Sequence, residues 1–361
     1  MISIDSLPDE ALLQIFYLFV DEDEDEDGLK KHFVEESRKE WQSLVHKWQS
    51  LVHVCRRWRS VVFGSPRRLN LRLILKPRTP VRDTVDFWPP LPLVIQGSIR
   101  RTDPDLDNLV TALERRDRVC QIHLSGVELP SERAMVAMQG PFPELTDLVL
   151  ISDTTMIPPL PDSFLGGSAP RLRNLLLVRV PFPGLPKLLL SATHLVNIRL
   201  HGVPHSGFFS PEALVTALSS STSLRLLVLG LRSSPKLASQ HPPPTRSLLP
   251  VLDTLTFKGP SEYLDDLVAR IDAPRLNIVE IDFFKGVLDT PHFTQFIRRT
   301  PMFRAHEKAY FAFLRLEGAA VGLSSRTSGY GELKAKIRCR GQVSTLKRFC
   351  YFCTPYFPIS T

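Results

Sequence analysis

Leucine and its aliphatic relatives recur along this chain in one short pattern, apolar-x-x-apolar-x-apolar. Five copies keep it closely: Leu145, Leu148 and Leu150; Leu172, Leu175 and Leu177; Leu195, Ile198 and Leu200; Leu224, Leu227 and Leu229; Leu252, Leu255 and Phe257. Val119, Ile122 and Leu124 open the series more loosely, and Leu276, Val279 and Ile281 close it. First positions follow one another at 26, 27, 23, 29, 28 and 24 residues. The end of each copy alternates as a strand does, while proline-rich turns and helical stretches such as Pro211 to Leu218 lie between copies. A period in this range signals a repeat architecture, in which each unit buries its leucines by stacking on the next. The fourth and sixth positions are expected to face the core, so their strand neighbours face the other side of the sheet. Those neighbours read Gln121 and His123, Asp147 and Val149, Asn174 and Leu176, Asn197 and Arg199, Leu226 and Val228, Thr254 and Lys258, then Glu280 and Asp282. A water-facing surface is not expected to line up Val149, Leu176 and Val228 around a single Arg199, whereas a binding face does. These four are the candidate substrate-binding residues; the alternative is that the C-terminal segment or an inter-repeat loop folds over them.

Ahead of the repeats the spacing is helical. Ser6, Pro8, Asp9 and Glu10 suit a helix start, with a capping hydroxyl, a proline where no N–H is needed, and acids at the positive end of the dipole. Leu12, Ile15, Phe16 and Phe19 follow on one predicted face. A second stripe runs through Leu51, Val54, Cys55, Trp58 and Val62. Two such helices are too small to bury their apolar faces alone. Between them Asp21 to Asp27 is an unbroken acidic run, expected to be a disordered loop. Trp41-Gln-Ser-Leu-Val-His46 recurs unchanged as Trp48 to His53, a seven-residue offset that lengthens the second helix by two turns.

The N-terminal residues resemble an F-box, which opens with Leu-Pro-x-Glu before an apolar helix and closes with Val-Cys-x-x-Trp. Here these are Leu7-Pro8-Asp9-Glu10 and Val54-Cys55-Arg56-Arg57-Trp58, within about the first sixty-five residues. The intervening segment is longer than the family's usual short helical link. The resemblance implies docking on a Skp-type adaptor of a cullin–RING ubiquitin ligase, through Leu7, Pro8, Glu10, Leu12, Ile15, Phe16, Val54, Cys55 and Trp58. The repeats resemble leucine-rich repeats, although no regular asparagine ladder is evident. The expected fold class is α/β: an N-terminal helical F-box-like domain, then a leucine-rich-repeat-like solenoid with a parallel sheet. Expected bounds are 1–65 for the helical domain, with an acidic insertion near 21–40, and 66–105 for a strand and proline-rich linker. The solenoid is expected over 106–345 and a C-terminal tail over 346–361.

Composition narrows the function. The net charge is +7, and setting aside the seven acids of the run leaves 45 basic residues against 31 acidic ones, an excess of 14. The arginines are dispersed and not interleaved with aromatics, so nucleic acid is not the expected partner. Five scattered cysteines make no disulfide framework, and Cys350-x-x-Cys353 has no second pair to complete a zinc site. No apolar run reaches membrane-spanning length, the acidic start does not read as a signal peptide, and a cytoplasmic or nuclear protein is expected. Gly-x-Gly-x-x-Gly, Walker, Gly-x-Ser-x-Gly and His-Glu-x-x-His motifs are absent, so neither catalytic residues nor a cofactor are expected. Two functions follow. One is a substrate-recruiting ligase subunit with a Skp-type adaptor, a cullin complex and a protein substrate as partners. The other is a free-standing repeat scaffold that binds protein or RNA through its basic surface.

Overall fold

The computed structural model describes residues 7–21, 48–66, 68–76, 80–98, 106–126, 132–154, 158–232, 246–283, 291–301, 313–317, 320–325 and 332–338. The acidic run after Asp21, the first Trp-Gln-Ser-Leu-Val-His copy, Ser344 to Tyr351, and Cys339, Cys350 and Cys353 lie outside them.

The N-terminal helices are α1 (Asp9–Asp21), α2 (residues 48–54) and α3 (Arg56–Gly64). The Pro8 carbonyl accepts the N–H groups of Ala11 and Leu12, so Pro8 stands just outside the first turn rather than within it. Asp9 and Glu10 occupy that turn. Cys55 breaks the second stripe into two helices. Its backbone is extended, with φ −157° and ψ 172°, and its Sγ accepts the Trp58 N–H at 3.4 Å, capping α3.

The remaining elements are α/β. The strands are β1 (Leu73–Leu75), β2 (Leu93–Ser98), β3 (Val119–Ser125), β4 (Asp147–Ile151), β5 (Asn174–Val178), β6 (Asn197–Val203) and β7 (Leu226–Leu231). They continue with β8 (Ser247–Leu248), β9 (Thr254–Gly259), β10 (Ile271–Asp272), β11 (Ile278–Phe283), β12 (Phe313–Glu317), β13 (Ala320–Ser325) and β14 (Glu332–Arg338). The helices between them are α4 (Val81–Phe87), α5 (Leu106–Leu113), α6 (Glu132–Ala137), α7 (Leu185–Leu189), α8 (Pro211–Leu218), α9 (Ser261–Ala269) and α10 (Pro291–Arg299).

Among the described residues one open sheet of 12 strands runs in the order β1-β2-β3-β4-β5-β6-β7-β9-β11-β14-β13-β12. Neighbours from β1 to β14 pair in parallel, and β13 and β12 close the series antiparallel. Sheet order therefore follows chain order through β11, apart from β8 and β10, which pair only with each other. The fourth positions of the repeats form one continuous row, Ile122, Leu148, Leu175, Ile198, Leu227, Leu255 and Val279. The sixth positions form a second row from Leu124 to Ile281. Both rows are buried in the contiguous core together with Leu109, Leu113, Leu188, Leu214 and Leu264 of the helices.

Two expectations need correction. Residues 66–105 do not form a separate linker: β1 and β2 head the same sheet, with Ile95 opposite Ile122. The proline-rich stretch contains α4, because Pro80 precedes Val81 and Val85, which are spaced one helical turn apart and buried. The sequence near the end also suggests strands at Tyr310–Leu314 and Leu333–Ile337: Tyr310 to Ala312 lie outside the described residues, Phe313 and Leu314 stand in β12, and β14 extends one residue beyond the second span on each side. The intervening β13 was not anticipated, because Ala320, Gly322 and Ser324 give little strand signal.

In α9, Tyr263 is fully buried, its hydroxyl donates to the Phe209 carbonyl at 3.2 Å, and burial pushes its pKa up. Tyr263→Phe leaves that carbonyl without its partner, and a loss of about 1–2 kcal/mol in urea denaturation is expected. Unchanged stability would show that the hydroxyl contributes nothing net.

Candidate functional site

The two N-terminal motif segments meet through one arginine. Arg57 donates to Asp9 Oδ1 from Nε at 3.0 Å and Nη2 at 2.7 Å, and Nη2 also donates to the Leu7 carbonyl. Residues some fifty positions apart are thereby clipped at the start of α1. Arg59 Nε donates to the Val52 carbonyl at 3.0 Å, bridging the break at Cys55. Below this clip Phe16 and Trp58 pack with ring centroids 4.7 Å apart.

The candidate adaptor residues divide into two groups. Leu12 and Phe16 are fully buried against the chain's own core, which corrects their expected place on a docking surface. They sit on the inner face that a single apolar stripe does not distinguish from the outer one. Leu7 and Trp58 are half-buried and packed against that core, Cys55 is half-buried, and Pro8 and Glu10 are exposed. Ile15 and Val54 are open to solvent at 43% and 59%. With them stand Leu18 at 58%, Phe19 and Tyr17, so α1 is apolar on its outer side as well. The expectation did not include Leu18; its signal is the spacing of Ile15, Leu18 and Phe19, a second stripe beside the buried one.

Trp88, just after α4, joins this unit to the sheet. Its ring lies 5.3 Å from Trp48, 6.1 Å from Phe63 and 6.4 Å from His53, mostly edge to face.

The second face of the sheet carries the candidate substrate residues. His123, Val149, Leu176, Arg199, Val228, Thr256 and Glu280 form one row across β3 to β11. The expected Thr254–Lys258 and Glu280–Asp282 pairs are thus displaced. Thr256 occupies the Arg199 row, Ile278 stands with Thr254, and Lys258 and Asp282 share the next row at 3.3 Å. Arg199 lies between Leu176 and Val228, as expected. Leu176 and Val228, however, are only 5% and 9% exposed, while lying outside the contiguous core. Two of the three apolar residues of the expected contact surface are therefore closed to solvent, and Val149 and Arg199 remain half-buried. Burial draws the Arg199 pKa down.

A polar ladder occupies the neighbouring row. Gln121 Nε2 donates to Asp147 Oδ2 at 3.0 Å, Asn174 Nδ2 to Asp147 Oδ1 at 2.6 Å, and Asn197 Nδ2 to Asn174 Oδ1 at 2.7 Å. This is a mixed ladder of amides and one carboxylate over four strands, with asparagine in only two of them. The signal was present in the residue just before each fourth position, which is amide or acid in all four copies.

Among the described residues no helix is long and apolar enough to cross a membrane, and no group of three or more His, Cys, Asp or Glu residues is placed to hold a metal ion. Fold and surfaces together define an α/β chain with a large open, mainly parallel sheet and an N-terminal helical unit anchored to it. The sequence matches no protein-family model, and comparison with curated proteins gives no match.

The histidines make the second face sensitive to acid. Partial desolvation draws the pKa of His201, which is exposed on the sheet, below its ordinary value, aided by the charges of Arg199 and Lys258, and burial lowers that of His123 against the opposing pull of Asp147. The unfolded chain then binds more protons than the fold below about pH 6.5, so stability falls as pH drops through that value. His201→Gln is expected to weaken this acid-side loss, read as a smaller shift of the urea midpoint between neutral and mildly acidic buffer.

Asn174→Ala removes two of the three bonds of the ladder and is expected to cost about 1–2 kcal/mol. A double-mutant cycle with Asn197→Ala checks it: strict additivity would show that the two amides do not interact.

Proposed function

We propose that this chain is a substrate-recruiting subunit of a Skp–cullin–F-box type ubiquitin ligase. Its N-terminal helices dock on the Skp-type adaptor, and its leucine-rich-repeat-like solenoid holds a protein substrate. Ubiquitin transfer belongs to the assembled complex, with no catalytic residue on this chain. One observation carries the reading: Ile15, Leu18, Phe19 and Val54 are solvent-exposed apolar residues on helices whose other face is already packed. Exposed apolar groups on a small unit mark a protein-binding surface. The Arg57 clip to Leu7 and Asp9 supports it, because it fixes the two motif segments against each other.

Co-purification with a Skp-type adaptor tests the reading. Leu18→Asp combined with Val54→Asp is expected to abolish adaptor binding, since apolar anchors at an interface centre each contribute about 2 kcal/mol or more. Both sites are exposed, so the circular dichroism of the sheet is expected to stay unchanged. Wild-type adaptor recovery with the double variant would reject this docking surface.

A further inference from the structure

The carboxyl ends of β5, β6 and β7 bring two arginines over one bare glycine. Arg179 follows β5 and Arg232 follows β7, on either side of β6, in which Gly202 stands. Gly202 has φ +64°, a conformation that favours glycine. A Cβ there would meet Arg179 Cγ at 3.3 Å, Arg232 Nε at 3.7 Å and Arg232 Cγ at 3.8 Å. The missing side chain is therefore the floor on which both arginine stems converge. The β6–β7 register shifts between Leu200 and Val203, a bulge that contains His201 and Gly202.

The backbone fixes both arginines. The Arg179 N–H donates to the His201 carbonyl at 2.7 Å, and the Arg232 N–H to the Val203 carbonyl at 2.9 Å. The Arg179 guanidinium donates to the Asp153 carbonyl at 3.4 Å, with the Asp153 carboxylate 4.0 Å away. Arg232 is exposed, and among the described residues no carboxylate pairs with its guanidinium. Arg199 and Lys258 also lie near His201, Lys258 being paired with Asp282 at 3.3 Å.

We propose that Arg179 and Arg232, converging over Gly202, bind an oxyanion, phosphoryl or carboxylate, carried by a protein segment that crosses the carboxyl ends of the strands. The site rests on the reading that this chain recruits a protein, and it names the chemistry recruited. Guanidinium forks match the oxygens of phosphate and carboxylate. Ile151 and Val178, half-buried on the adjoining strands, supply apolar contact beside the charge. No Phe, Tyr or Trp lies on the second face of β3 to β11, so the stacking platform that single-stranded nucleic acid needs is lacking there.

The test uses the full chain and three fluorescent degenerate peptide libraries, alike except for a fixed central phosphoserine, glutamate or serine, read by anisotropy. A charged centre is expected to bind about tenfold or more tightly than serine, as loss of a charge-assisted contact implies. The advantage falls with added salt, disappears in Arg232→Gln and is partly kept in Arg232→Lys. Preference for phosphoserine alone assigns a phosphoryl group, and equal binding of glutamate assigns a carboxylate. Equal affinity of all three libraries, or a charge preference that survives Arg232→Gln, overturns the site. Displacement of the peptides by a tighter-binding single-stranded oligonucleotide overturns the choice of a protein segment. Adaptor recovery is measured on the same variants: its failure beside intact peptide binding counts against the ligase reading and leaves this site standing.

Discussion

Side chains in a strand alternate with a period of two, so a parallel sheet survives only while each strand keeps its register. Here a slip of one residue at β6 would turn Ile198 and Leu200 outward and bring Asn197, Arg199 and His201 against the helices. The aligned rows that run from Ile122 to Val279 and from Leu124 to Ile281 hold that register. Neighbouring units can differ in length by several residues because the differences are absorbed between strands, where closing a longer loop costs little. The register also creates the ladder from Gln121 to Asn197. Amides and a carboxylate on successive strands meet only because their backbones are paired in step.

The same periodicity explains how much was legible in the sequence. Seven strands were visible because each carries two leucine-like residues two positions apart, with a third three residues earlier. The second face was visible only by subtraction, and the subtraction erred where Lys258 was substituted for Thr256. That Leu176 and Val228 are closed to solvent has no local signature, since they alternate with the core leucines as exposed positions would. The proline-rich stretch misled for a different reason. Its prolines flank a turn of helix, and the aliphatic pair Val81 and Val85 is too short to register as a stripe.

In the N-terminal unit the motif residues act mainly as structure. Cys55 is a helix cap, Trp58 supports Phe16, and Leu7 lends its carbonyl to Arg57. While these residues hold the shape of the unit, Ile15, Leu18, Phe19 and Val54 stay open to solvent. Apolar residues on both sides of α1 blend into one broad stripe in the sequence, so inner and outer faces separate only when the second helix is placed beside it.

Trp88 has a practical consequence for dividing the chain. The fragment that ends where the helical motif ends would expose Trp48 and Phe63, whose edge-on partner arrives from beyond α4. Conversely, a fragment that starts at the first leucine copy would strip β1 and β2 from the sheet and leave β3 as an unpaired edge, its backbone groups free to pair with another molecule. Neither half is a self-contained module, and expression of either alone invites aggregation at the cut surface.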